Sequence, residues 1–196
     1  MKTSSITLQL LAMSVLTSAA WAQTPAEQDQ QRDVNQQQRI EQGLQSGQLS
    51  TKEAGSLERQ EQHVDNMEAH DLKNGSMSAG EQARLNAAQN KVSGDIYADK
   101  HNGTTGNPNS ASSQRMQSDV QRNVNQQQRI QNGMDNGSLT NREAGSLERG
   151  QGHVNGREAN AAANGHVSAR EQGRIQRSAN RQSGRIYRKK HNATTK

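Results

Sequence analysis

The sequence predicts an all-α protein: a tandem duplication of a three-helix unit joined by a flexible linker, after a cleaved signal peptide. Three observations carry the prediction. The chain matches itself at a shift of 90 residues, with about half of 70 aligned positions identical and no gap. Each copy holds two turns of the form Gly-x-apolar-Ser/Thr-x-x-Glu. Between the turns, apolar residues recur at helical spacing.

The first element is the signal peptide. Lys2 supplies a positive start, Ile6 to Thr17 is mostly apolar, and Ala20-Trp21-Ala22 is a small-x-small cleavage site. The apolar run is too short to span ~30 Å of hydrocarbon. Residues 1–22 are therefore expected to be removed after Ala22, leaving an exported, periplasmic chain from Gln23.

The first unit, residues 23–102, reads as three helices over 26–45, 50–71 and 78–101. Their boundaries come from the turns. In Gly47-Gln48-Leu49-Ser50-Thr51-Lys52-Glu53, and again in Gly75-Ser76-Met77-Ser78-Ala79-Gly80-Glu81, the Ser is followed by Glu at +3. That is a capping box: the hydroxyl accepts from the N3 amide and the Glu reaches back to the cap amide. The preceding Gly can take the left-handed conformation that ends a helix. Ala54, Leu57, Val64 and Met67 share one face of the second helix, and Leu85, Ala88, Val92 and Ile96 one face of the third. Short turns favour antiparallel neighbours.

A linker is read at 103–118, rich in Gly, Asn, Ser and Thr. The second unit, residues 119–196, repeats the pattern at Gly137–Glu143 and Gly165–Glu171. Glu53–Arg59 returns letter for letter as Glu143–Arg149. Gly55 and Gly145 lie early in their helices, where Gly costs about 1 kcal/mol against Ala. Close approach of a neighbouring helix would explain both.

Composition limits the core. The chain has no Cys, no Phe and two Tyr, and its mean hydropathy is −1.16. No disulfide can staple it. A thin core of Leu, Ile, Val, Met and Ala is expected, with acidic residues on solvated faces.

The turns also resemble an EF-hand loop. With Gly165 at its sixth position, Asn160 is first, Ala162 third, Asn164 fifth and Glu171 twelfth. A calcium loop needs side-chain oxygens at the first, third and fifth positions, but no carboxylate occurs there and the third position is apolar in all four turns. The capping box accounts for Gly, Ser and Glu without a metal.

Two constellations are candidate binding sites. His63, Met67 and His70 fall at i, i+4 and i+7 on one helix face, a set that suits copper or zinc. The repeat has His153, Arg157 and Asn160 there, so two of the three are lost. Arg170, Arg174, Arg177, Arg181, Arg185 and Arg188 form a stripe along the last helix, a candidate anion-binding face. Residues 33–102 hold 7 basic and 11 acidic residues, net −4, and residues 123–192 hold 12 and 5, net +7. An acidic unit could thus dock on a basic one, within or between chains, or the stripe could meet an anionic envelope surface or an envelope protein. The export signal and scarcity of aromatics argue against nucleic acid.

No catalytic residue and no cofactor are expected. There is no P-loop, GxGxxG, His-Glu-x-x-His or Gly-x-Ser-x-Gly.

The elements Gln37–Ile40, Gly47–Glu58 and Ile96–His101, with second copies at Gln127–Ile130, Gly137–Glu148 and Ile186–His191, resemble a family of small exported helical-repeat proteins of Gram-negative bacteria. That resemblance implies export and a helical repeat and brings no activity. Three functions stay open: a non-enzymatic binding or interaction protein of the envelope, a weak metal-binding protein (copper or zinc, less readily calcium), and a polyanion- or surface-binding protein.

Overall fold

The computed structural model describes residues 23–192, so the segment read as a signal peptide lies outside the described residues. Those described form six helices: α1 Pro25–Ser46, α2 Thr51–Asp71, α3 Ala79–Lys100, α4 Ala111–Asp135, α5 Asn141–Ala162 and α6 Ala169–Lys190, with one 3₁₀ turn at Leu72–Asn74. The fold is all-α, and none of the described helices is long and apolar enough to cross a membrane.

The helix starts follow the capping chemistry. Ser50, Ser78, Thr140 and Ser168 each accept from the amide of the Glu three residues on, whose side chain returns to the cap amide. A fifth capping box, Thr24 with Glu27, starts α1. Gly47, Gly75, Gly137 and Gly165 take positive φ, as the turns require. Leu49, Leu139 and Val167, the apolar residues of three turns, are fully buried.

Four helices lie inside. α2 packs on α5 and α1 on α4, while α3 rests on α1 and α2, and α6 on α4 and α5. On the α2–α5 contact Gly55 meets Ala162, Asp65 meets Gly152 and Leu72 meets Gly145, so these helices run antiparallel. Gln31 to Gln131 and Gln117 to Leu44 show the same for α1 and α4. The two repeat units are therefore interleaved in one bundle. Gly55 and Gly145 fit the close-approach reading: an added Cβ would stand 2.5 Å from Ala162 Cβ in the first case and 2.8 Å from Leu72 Cβ in the second.

The linker reading needs correction. α4 begins at Ala111, inside the 103–118 span, capped by Ser110. Burial draws this stretch into the helix: Met116 and Val120 are fully buried, and Ser112 Oγ accepts from Val167 N at 2.8 Å. The shorter connection is also held, with Gly106 N donating to Gly47 O at 2.8 Å.

The buried apolar residues are Leu, Ile, Val, Met and Ala, as expected, but the placing of acids on solvated faces is overturned. Among the described residues, 28 polar side chains are buried against 29 apolar ones. The predicted apolar faces are buried except for half-buried Met67 and Ala88, but Leu57 and Val64 of α2 pack in a cluster with Leu85, Val92 and Ile96 of α3. The face that α2 turns to the bundle centre is another one. It runs Ala54, Glu58, Glu61, Asp65, Glu68, Leu72, at spacings of four and three, every residue buried. α5 matches it with Ala144, Glu148, Gln151, Asn155, Glu158 and Ala162. α1 presents Ala26, Gln30, Asp33, Gln37, Ile40 and Leu44, and α4 Met116, Val120, Asn123, Gln127, Ile130 and Met134. These are the a and d positions of a coiled-coil seam, apolar at both ends and polar in the middle.

Candidate metal centre

Four carboxylates converge where the polar middles of the seams meet. Asp33 of α1, Asp65 and Glu68 of α2, and Glu148 of α5 each bring an oxygen within 4.8 Å of the others. None of the four is more than 1% exposed. Glu58, Glu61, Glu158 and Asp119 are buried beside them along the same seams or at their edge.

Amides hold the quartet in place. Gln30 donates to Glu68 at 3.0 Å, Gln89 to Asp33 at 2.8 Å, Gln127 to Glu148 at 3.0 Å and Asn155 to Asp65 at 2.8 Å. No basic group among the described residues forms an ion pair with it: the ion pairs there are His70–Asp71 and Lys91–Asp95, both away from the seam. Arg32 draws on Asp33 only from a distance, its guanidinium donating to Asn86 and Asn90. Arg39, the basic group that bears on Glu61, spends its guanidinium on Ser93 O at 3.0 Å.

Burial without a counter-charge sets the protonation. Desolvation pushes Asp33 and Glu58 up to about 7 and Glu148 up to about 8. It pushes Asp119 up to about 7, against the pull of Arg122. Glu61, Asp65, Glu68 and Glu158 are raised well above the carboxylate range by burial, and then by the neighbouring acids. Asp33 with Glu68, Glu58 with Glu158, and Asp65 with Glu148 stand close enough to share a proton.

A second feature is independent of the charge. Among the described residues, eighteen buried side-chain N and O atoms have no hydrogen-bond partner within the protein, and every one is an oxygen. They include Asp33 Oδ2, Glu68 Oε1 and Glu148 Oε1 in the quartet. They also include Oε1 of Gln30 and Gln127, 1% exposed residues whose amides point into the quartet. Buried acceptors without donors are costly. What relieves them is a donor proton, from a neutral carboxyl or a buried water, or a cation. An all-oxygen donor set selects hard cations and disfavours copper and zinc, which prefer nitrogen and sulfur.

The residues singled out in the sequence lie elsewhere. His63 is exposed, in a cleft of about 250 Å³ with Arg59, Lys91 and Val92. Met67 is half-buried against the apolar core. His70 is exposed, its Nδ1 at 2.9 Å from Asp71 Oδ1, and with Asp71 and Glu81 it forms a separate group at the bundle surface. The turn glutamates are committed to capping. Bonds from the Ser78 and Ser168 caps hold Glu81 and Glu171 below the usual carboxylate range. The Arg stripe is exposed except for half-buried Arg185, which donates to Ser146 O at 3.1 Å. Arg181 and Arg185 join Arg157 and His153 in a cleft of about 340 Å³ between α5 and α6. Arg174 shares with Arg157 a smaller cleft of about 170 Å³, and Arg170, Arg177 and Arg188 line neither. The stripe also plays no part in joining the two units, because α6 packs on α4 and α5.

Comparisons with protein-family models, curated proteins and solved structures return no match to this chain.

Proposed function

We propose that this chain is an exported, non-enzymatic binding protein of the periplasm whose core takes up a hard divalent cation. The observation that carries the reading is the convergence of Asp33, Asp65, Glu68 and Glu148 within 4.8 Å, fully buried and with no ion-pair partner among the described residues. Calcium fits better than magnesium. A dry site built from carboxylates suits an ion that accepts 6–8 oxygens in flexible geometry, whereas magnesium sheds its water reluctantly. Uptake displaces the protons that the buried acids hold in the free protein. The protein thereby exchanges protons for a cation, and its affinity rises with pH.

Calcium titrated calorimetrically into the chelator-treated chain from Gln23, in buffers of different ionisation enthalpy, tests this. The expected result is saturable heat whose size varies with the buffer, showing proton release, and its loss in Asp65→Asn. No saturable heat with up to about 1 mM calcium or magnesium, the weak end of protein sites, would reject the reading.

A second reading rests on the α5–α6 cleft, where Arg157, Arg181 and Arg185 meet around about 340 Å³. It fits a phosphate- or sulfate-bearing polyanion. Salt-sensitive retention on heparin, lost in a variant with all three changed to Gln, is the outcome expected. Retention unchanged in that variant would remove the cleft as the cause.

A further inference from the structure

The cation quartet has a copy in the same core. Residues 90 apart take equivalent places in the seam: Gln37 donates to Glu58 at 3.1 Å as Gln127 does to Glu148 at 3.0 Å. Gln36 donates to Gln89 O and Ser93 Oγ as Gln126 does to Ala179 O and Ser183 Oγ. Applying the same shift to Asp33, Asp65, Glu68 and Glu148 gives Asn123, Asn155, Glu158 and Glu58. All four are fully buried. Each quartet takes three residues from one half of the chain and one from the other.

The two quartets differ at two positions, and both differences replace a carboxylate by its amide. The amides change the chemistry more than the loss of two charges alone would. Asn123 Nδ2 donates to Glu158 Oε2 at 2.6 Å and to Asn155 Oδ1 at 3.1 Å. Its N–H groups therefore occupy lone pairs that a cation would need. Asn155 faces the other way, giving its N–H to Asp65 Oδ2 at 2.8 Å across the boundary between the quartets. It orients a ligand of the first quartet while bringing no charge to the second. Within the first quartet every donor comes from outside. The oxygens left without a donor are equivalent in the two, Asp33 Oδ2, Glu68 Oε1 and Glu148 Oε1 in the first and Asn123 Oδ1, Glu158 Oε1 and Glu58 Oε1 in the second, so the difference lies in ligand charge and in the N–H groups of Asn123. Ligand charge count tunes the affinity of calcium sites; here it is four acids against two.

We propose that the duplicated core contains one working cation site and one silenced copy, and that Asn123 and Asn155 are the residues that silence it. The inference rests on the cation reading above. It predicts one calcium bound per chain.

Stoichiometry by calorimetry and by metal analysis after desalting tests it with three proteins. The wild type binds one calcium per chain. Asn123→Asp/Asn155→Asp binds two. Asp33→Asn/Asp65→Asn gives the first quartet the composition of the second, which this fold already accommodates, and binds none while keeping its helical circular dichroism. Two equivalent calcium ions in the wild type would overturn the silencing, as would the first variant remaining at one with its fold intact. If that variant fails to fold, the second decides: unchanged binding of one ion in it overturns the assignment. No binding to the wild type rejects the cation reading itself, and is thereby distinguished from failure of the silencing alone.

Discussion

At the scale of single residues, the buried acids make stability depend on pH with a definite sign. A carboxyl with a raised pKa keeps its proton in the folded chain and releases it on unfolding. Below about pH 4 both states are protonated and the full stability is present. As pH rises from there, the unfolded chain binds fewer protons than the folded one, so stability falls. The fall runs through about 7 for Asp33, Glu58 and Asp119 and about 8 for Glu148. In chelator, the melting temperature is therefore expected to be higher at pH 5 than at pH 8.5, and calcium should restore it at pH 8.5. A melting temperature that rises with pH would show that the acids are not buried and neutral. Glu61 isolates the effect, since Gln151 stands at the equivalent place in α5 and is also buried. Glu61→Gln should raise stability at pH 8.5 by at least about 1 kcal/mol, about 2–4 °C for a chain of this size. At pH 5, where Glu61 is already protonated, the change should be small. An equal gain at both pH values would trace it to packing instead of charge.

At the scale of elements, the sequence and the structure agree where chemistry is local. The Ser50–Glu53, Ser78–Glu81, Thr140–Glu143 and Ser168–Glu171 boxes place their helix starts within a residue of the structure. The site is less legible because the apolar periodicity of α2 marks a different face. Leu57 and Val64 define a true buried face of α2, but it is the one packed in the cluster with α3 residues. The seam through Glu58, Glu61, Asp65 and Glu68 has the same 3-and-4 spacing and is bracketed by buried Ala54 and Leu72. Four acids at core spacing between apolar ends, echoed by Glu148 and Glu158 on α5, were the available signal. Reading acids as solvated hid it, and no single helix reveals that two such faces meet. Their closeness makes its own prediction. Gly55→Ala gains about 1 kcal/mol in helix propensity, yet its Cβ would lie 2.5 Å from Ala162 Cβ. Overpacking of this kind costs about 1–3 kcal/mol, so a net loss is expected in urea unfolding. Gly94, with nothing within 4 Å of an added Cβ, is the control. Gly94→Ala should stabilise by about 0.5–1 kcal/mol. Stabilisation by both would mean that α2 and α5 are not in close contact at Gly55.

At the scale of the whole molecule, the polar seam decides whether the halves of the chain can live apart. The repeat suggests two small domains, each with three helices and a tether. In the bundle, however, the seams of α1 and α2 find their partners in α4 and α5. Residues 23–106 alone would turn Glu58, Glu61, Asp65 and Glu68 to water, along with the apolar ends of both seams. What would remain is mainly the contact of α3 with α1 and α2, around Leu57, Val64, Leu85, Val92 and Ile96. A core of that size in about 80 residues is marginal without a disulfide or a metal. The quartet cannot supply the metal there, because Glu148 comes from the other half. The fragment is therefore expected to lose most of its helical circular dichroism at neutral pH, or to be helical only as a self-paired dimer in which a second α2 stands where α5 was. Mixing it with residues 107–196 should restore the helical signal, because the fragments then bury each other's seams. Both outcomes can be read by circular dichroism and sedimentation. A stable helical monomer of residues 23–106, melting as the whole chain does, would show that the units are independent and that the buried acids are not what joins them.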